Sequence, residues 1–519
     1  MRRTRTIATG MLAVLALASP AIAQQQREPY PGFDAYVRAA LATWKVPGAS
    51  VAIVRNDSVI YAKGYGVREI GKPAPVDEHT LFAIGSSSKA FTSAAVAMLV
   101  DSGKVRLDAA ANTYLPNFQL ADPFASREIT VRDLLSHRSG LARGELIWYG
   151  SAYDRDEILR RVRYLPPTWS FRSTFGYQNI MFLAAGQIVA KTTNASWDDF
   201  IKQRIFQPLG MTSSNTSVSS LKGIEDVAAP HAELNDTVRA IPYRQIDNIA
   251  PAGSINSNAV DMAQWVRLHL GDGKFQGKQL ISKRMVDEMR TAQMIIRRDG
   301  GMGNMNPSAH LMDYGLGWFL SDYEGKYLVQ HGGNIDGMTA LVAMLPEDKF
   351  GIVILSNMNG STLPTALMLK TLDLQLKRPA KDWSSELHAR QDSTMARARA
   401  MQGRTEQRVA NTKPSLPLSG YVGTYADSAY GVLDVTEANG TLNLAFGPTW
   451  RGPLEHYHFD TFRMKLDTPI LPPVPVTFRL NAAGKVDEVQ LDLAGQVTFK
   501  RVPDRPARPA AAVTGSAPR

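Results

Sequence analysis

The 519-residue chain contains no cysteine. Disulfides, thiolate zinc sites, iron–sulfur clusters and a cysteine nucleophile are therefore excluded. Long apolar runs are also missing. The only candidate, Ile7–Ala18, is shorter than the ~20 residues a membrane-spanning helix needs. Charge is modest at 20% of residues, and hydrophobic residues make up 44%, with 40 Gly and 30 Pro. That balance excludes wholesale disorder, a collagen-like repeat and a coiled coil. The net charge of +10 comes from 58 basic and 48 acidic residues, spread without a basic block or an aromatic-interleaved basic stripe. Nucleic-acid binding is not expected from it.

At roughly 150 residues per domain, the length suggests about three units. Residues 1–23 read as a secretory leader. Arg2, Arg3 and Arg5 precede the apolar run, and Ala21-Ile22-Ala23 supplies a small-x-small cleavage pattern. Its removal leaves 55 basic against 48 acidic residues, a net charge of +7. The expectation is an exported, periplasmic protein without stable membrane insertion; lipoprotein anchoring would need a cysteine. Residues 504–519, rich in Pro, Ala and Arg, are expected to be a disordered tail.

Phe33–Lys45 has helical apolar spacing, and Ala49–Val54 and Val59–Tyr65 read as a hairpin across Arg55–Ser58. Ala90–Val100 carries no charge on any face, which predicts a buried helix. Residues 105–310 read as helices and loops. Leu328–Gln330, Met338–Leu345 and Gly351–Ser356 read as strands, and Ser361–Lys377 as a helix. The expected fold is α+β: an antiparallel sheet flanked by terminal helices, with an inserted helical region, over residues 30–377. Residues 378–413, charged and weakly helical, read as a linker. Residues 414–503 read as a small all-β barrel of about eight strands, with turns at Asn439-Gly440, Asn481–Gly484 and Ala494-Gly495.

The chemistry centres on Ser86-x-x-Lys89 at the start of the buried helix. Positions i and i+3 share a helix face, which sets an alcohol beside an amine. Burial depresses a lysine pKa and frees it to act as a base, and the helix N-terminus favours a developing oxyanion. Taken alone, Ser86 could equally be a helix cap with a surface lysine beside it. A second Ser-x-x-Lys, Ser219–Lys222, lies in a Ser/Thr-rich loop with no buried helix after it and reads as chance. Tyr177-Gln178-Asn179 is the only Tyr-x-Asn in the chain. It offers a phenol for proton relay and an amide for a substrate carbonyl, or simply a core tyrosine and a capping asparagine. His331-Gly332-Gly333 follows a strand. Its glycines would let a substrate backbone lie along the edge, and the N–H of Asn334 is a candidate oxyanion donor.

In this order the three motifs resemble those of the serine β-lactamase and penicillin-binding superfamily, and most of all its class C β-lactamase-like branch of esterases, D-amino-acid peptidases and DD-carboxypeptidase-like proteins. The spacing agrees, with 91 residues from Ser86 to Tyr177 and 154 more to His331. Leu134–Leu141, Pro208-Leu209-Gly210-Met211 and Pro251-Ala252-Gly253-Ser254 resemble further signatures of that branch. The resemblance spans residues 30–377, and residues 418–502 look like the β domain often appended to such hydrolases. It implies Ser86 as nucleophile, activated by Lys89 and Tyr177, with catalytic participation of His331. It implies substrate contacts from Asn179, Gly332, Gly333 and Asn334, and a covalent acyl-enzyme. Whether Lys89 or Tyr177 is the base stays open. No cofactor or metal is implied.

One departure stands out. The third motif of β-lactamases proper usually begins with lysine, and here it begins with His331, largely neutral at pH 7. Losing that charge costs on the order of 1–3 kcal/mol of carboxylate recognition. Esters, small amides or D-peptides are therefore expected as substrates, with weak turnover of β-lactams. The alternative is a penicillin-recognising sensor or peptidoglycan-binding protein that acylates without turnover. Two other readings are weaker. An α/β-hydrolase needs Gly-x-Ser-x-Gly, which is absent. His456-Tyr457-His458 with Asp460 has zinc-like spacing but no evident third ligand outside that stretch. The barrel is a candidate for ligand binding, for shielding the site or for oligomerisation.

Overall fold

The computed structural model describes residues 28–298, 305–379, 381–405, 408–466, 468, 470–493 and 495–503. The expected leader 1–23, the tail 504–519 and Ala494 of one expected turn lie outside them.

Eight strands form an antiparallel sheet in the order Ser58–Gly66, Gly48–Arg55, Phe350–Ser356, Met338–Leu345, Lys326–Ile335, Phe319–Tyr323, Met312–Tyr314, Met294–Ile295. The first hairpin closes through Asn56 and Asp57, both left-handed at φ 48° and 62°, which matches a two-residue turn to the strand twist. Alternate residues of Gly48–Arg55 serve two cores. Val51 and Ile53 pack with Val37 and Leu41 of the helix Phe33–Thr43 and with Leu367 and Leu372 of the helix Leu363–Gln375. Ala52 and Val54 face the helical region, among Phe91, Val353 and Leu355. Both faces are covered, so the central strands read as continuous apolar runs.

Ser88–Asp101 is the buried helix that the uncharged run predicts, with twelve of its fourteen residues buried. It packs against Asn179–Thr193 and the short turn Ala250–Gly253. Two segments differ from the sequence expectations. The strand read as Leu328–Gln330 runs from Lys326 to Ile335, through both glycines, because Met338–Leu345 pairs with it over that length. Its neighbour on the other side, Phe319–Tyr323, stops pairing at Gln330. Within the described residues, the His331–Ile335 half is therefore a free edge. The residues read as a linker include the helix Trp383–Thr405, whose first turns pack on the N-terminal unit. Trp383 Nε1 donates to Asp373 Oδ2 at 2.6 Å, and Leu387 is buried beside the terminal helices. Its polar composition hides this, because one face needs only Trp383, Ser384 and Leu387 to dock.

Residues 423–501 close into an eight-stranded barrel with its own core. Leu146 of the N-terminal unit is buried in that core, a contribution of about 1.5–3 kcal/mol. Trp450 Nε1 donates to the Tyr149 carbonyl at 3.2 Å, and the Tyr153 hydroxyl donates to the Tyr430 carbonyl at 3.0 Å. The segment 146–153 is thus the seat of the barrel, and it begins one residue after Glu145, beside the candidate site.

Candidate active site

Ser86 lies in the 3-10 turn Gly85–Ser87, ahead of the helix Ser88–Asp101. The turn is fixed from three directions. Ser88 Oγ donates to the Gly85 carbonyl at 2.7 Å, the Ile84 N–H donates to the Ile255 carbonyl at 2.9 Å, and Ser87 Oγ donates to the His331 carbonyl at 3.1 Å. Gly85 adopts φ 50°, a region that favours glycine. Gly333 is required for a different reason: a Cβ there would lie 1.8 Å from the Ile84 carbonyl oxygen and 2.9 Å from the Ser86 nitrogen. The free strand edge and the serine turn are therefore in direct backbone contact. The amide of Asn334 is equally close, 2.8 Å from a Cβ placed on Gly85.

Lys89 Nζ lies 2.9 Å from Ser86 Oγ and donates to the Ala252 carbonyl at 2.8 Å. It sits over the rings of Tyr177, at 4.8 Å, and Phe182, at 5.5 Å. Lys89 is fully buried, and burial pulls its pKa well below the ordinary lysine value, with the Arg143 charge acting the same way. Tyr177 lies against Lys89 in the same buried site, and burial raises its phenol above the usual pKa. Burial thus favours the neutral amine and the protonated phenol.

Tyr177 is held from behind. His137, at φ 55° in the Leu134–Leu141 segment, stacks on its ring at 4.1 Å and accepts the Gln178 N–H on Nδ1 at 3.0 Å. Gln178, rather than Asn179, caps the following helix through Oε1. Asn179 is buried, with Nδ2 at 3.4 Å from both Glu145 oxygens and Oδ1 unpartnered. Glu145 also accepts from Arg143 Nε at 2.7 Å, and its carboxyl is pushed up by burial. The Arg143 guanidinium lies over the Tyr177 ring at 5.1 Å.

Ser86, Lys89, Tyr177 and the backbone of Gly333 and Asn334 are therefore brought together, with Asn179 beside them through Glu145. His331 is placed otherwise. Its ring is buried among Tyr314, Phe319 and Tyr177, with Nε2 at 2.9 Å from the Tyr314 hydroxyl and Nδ1 at 2.6 Å from the Gly332 carbonyl. Burial lowers its pKa to about 3. The ring supports the phenol layer, and its main chain, not its side chain, meets the serine turn. Motif reading missed Arg143, Glu145 and Tyr314. Nothing in the spacing separates Arg143-x-Glu145 from a surface ion pair, although it follows directly on the Leu134–Leu141 signature.

The two histidines with zinc-like spacing have other partners. His456 Nε2 meets the Phe459 carbonyl at 3.0 Å, His458 Nδ1 accepts from the Val409 N–H at 3.3 Å, and Asp460 binds Ser415 and Tyr421. Among the described residues no three His, Asp or Glu side chains converge as metal ligands. Ser219 and Lys222 lie on an exposed turn.

Comparison with known proteins agrees with this geometry. Residues 33–376 match the Beta-lactamase family model, and residues 407–505 match a domain of unknown function, DUF3471. An unguisins hydrolase of Aspergillus violaceofuscus is 28% identical over 445 residues, covering 79% of this chain and 77% of the relative. Protein flp of Staphylococcus aureus is 24% identical over 335 residues, 64% of each chain. Among solved structures, an octameric penicillin-binding protein homologue from Pyrococcus abyssi covers 90% of this chain with a TM-score of 0.59 at 23% identity. SurE covers 91% with a TM-score of 0.54 at 21% identity. The family match spans the catalytic unit and all three motifs: this chain belongs to the Beta-lactamase family of serine hydrolases and carries a closed C-terminal β-barrel.

Proposed function

We propose that the protein hydrolyses ester or amide bonds through an acyl group held covalently on Ser86. The observation that carries this reading is the buried Lys89 amine, 2.9 Å from the Ser86 hydroxyl and depressed in pKa. The uncharged amine takes the Ser86 proton as Oγ attacks the substrate carbonyl. The N–H groups of Ser86 and Asn334 receive the oxyanion, in a turn that Gly85 and Gly333 allow to form. Tyr177, kept protonated, gives its proton to the departing group and recovers one through Lys89. This assigns the base to Lys89. Water then releases the acyl group by the reverse proton path.

Short-chain esters, small amides and D-amino-acid peptides fit the reading better than β-lactams, because the third motif supplies no cation: His331 is buried and neutral. A similar protein, the unguisins hydrolase of Aspergillus violaceofuscus, is also a hydrolase by name. A panel of nitrophenyl esters, D-peptide amides and a chromogenic cephalosporin, with Ser86→Ala as control, tests this. Ester or peptide turnover well above cephalosporin turnover supports it; a cephalosporin preference at neutral pH contradicts it. A penicillin adduct that persists on Ser86 without turnover of any ester or peptide would favour the sensor reading. Export belongs to the same proposal. On expression in a bacterial host, a mature N-terminus at Gln24 supports it, and an intact Met1 in the cytoplasm opposes it.

A further inference from the structure

A cleft of about 950 Å³ opens from Tyr177 and Asn334 and runs between the catalytic unit and the barrel. Trp169 and Tyr149 form the catalytic side; Trp450 and the loop residues Leu471, Pro472 and Pro473 form the barrel side. The volume suits a ligand much larger than an acetyl ester. Trp169 is 37% exposed, a large apolar surface left in water beside the site.

The charges in the cleft are spoken for. Arg143 is paired with Glu145, and Asp336 is paired from behind with Arg244 at 2.8 Å while accepting the Tyr149 hydroxyl at 2.7 Å. Asp492 adds a further carboxylate to the lining. Both nearby guanidinium groups, Arg143 and Arg244, are thus engaged by carboxylates and Asp492 adds a further negative charge, which opposes an anionic ligand.

The barrel wall is fixed relative to the chemistry by the same contacts. Trp450 Nε1 binds the Tyr149 carbonyl, and Arg244 reaches Thr449 Oγ1 at 3.4 Å. Asp336 lies just past the end of the strand that carries Asn334. We infer that the barrel and Trp169 form a substrate subsite, continuous with the Ser86 site, that holds an apolar, non-anionic group. This rests on the hydrolase reading for its occupant, but binding tests it without turnover.

The test is isothermal titration of the full-length protein with two matched probes, N-benzoyl-phenylalaninamide and N-benzoyl-phenylalanine. They differ chiefly in the charge of the carboxylate. The amide is expected to bind at least about tenfold more tightly than the acid, and Trp169→Ala and Leu471→Asp each to weaken amide binding by about tenfold. Val432→Ser, on an exposed barrel position outside the cleft, leaves it unchanged. Trp169→Ala alters an exposed side chain, so a folding defect in Leu471→Asp does not remove the test. Failure of the wild-type protein to bind the amide, tighter binding of the acid, or unchanged affinity in Trp169→Ala overturns the subsite. Fluorophosphonate labelling of Ser86 on the same samples separates the two claims. Labelling without amide binding rejects the subsite alone, and amide binding without labelling rejects the hydrolase reading alone.

Discussion

Lys89 is fully buried, and burial lowers its pKa, so holding a lysine there costs the fold stability. Its folded pKa is lowered, so the unfolded chain binds the extra proton below the ordinary lysine value, and the penalty disappears only above it. Lys89→Met is therefore expected to raise the thermal unfolding midpoint at pH 7 while reducing ester hydrolysis by about 10³-fold or more. Parallel calorimetry and rate measurements check both; a less stable protein would mean that Lys89 supports the fold. Lys89 must be neutral to act, so kcat/KM falls as pH drops through its lowered pKa. His331, held at about 3, contributes no limb between pH 5 and 8. A His331→Asn variant should keep the wild-type inflection even if its rate is lower, and loss of that inflection would make His331 the titrating group. His331 also has a stability consequence. The unfolded imidazole protonates below ~6.5 and the folded one does not, so native stability declines by a few kcal/mol as pH falls from ~6.5 towards 3. Acid unfolding followed by circular dichroism measures it.

At the scale of elements, the contact between the serine turn and the strand Lys326–Ile335 decides whether a site exists. Gly333→Ala would drive a methyl into the Ile84 carbonyl and part the two backbones. The expected result is a fold destabilised by about 1–3 kcal/mol and activity reduced at least 100-fold, read by denaturant titration and ester assay. Near-wild-type activity would show that the Asn334 amide is not needed. This contact also marks where sequence reading ran out. Ser86, Lys89, Tyr177 and Asn179 were legible because each is tied to an element with a clear pattern: an uncharged helix start, or the start of the apolar helix Asn179–Thr193. His331 was legible as a motif but not in its orientation. A strand alternates its faces, and the register that turns the imidazole inward is set by pairing with Met338–Leu345, a partner without local signal. Arg143 and Glu145 lie in a loop region, where no periodicity announces a role.

At the scale of the molecule, the barrel was legible from its strand and turn spacing, whereas its seat on residues 146–153 was not. That seat depends on Leu146 entering the barrel core, on Trp450 reaching the Tyr149 carbonyl 301 residues away, and on the ion pair of Asp336 with Arg244. Asp336→Ala leaves the guanidinium unpaired against the Tyr149 ring and is expected to cost about 1–3 kcal/mol. Looser docking should then speed limited proteolysis near residues 408–417, which join the two units; an unchanged cleavage rate would show that the pair does not hold the barrel. All of this presupposes one reacting atom. The most direct test is peptide-level mass spectrometry of the protein quenched in acid during turnover of a slow ester. The acyl mass is expected on Ser86, and is absent from Ser86→Ala and from Lys89→Met. An adduct on any other residue, or turnover by Ser86→Ala at the wild-type rate, would contradict it.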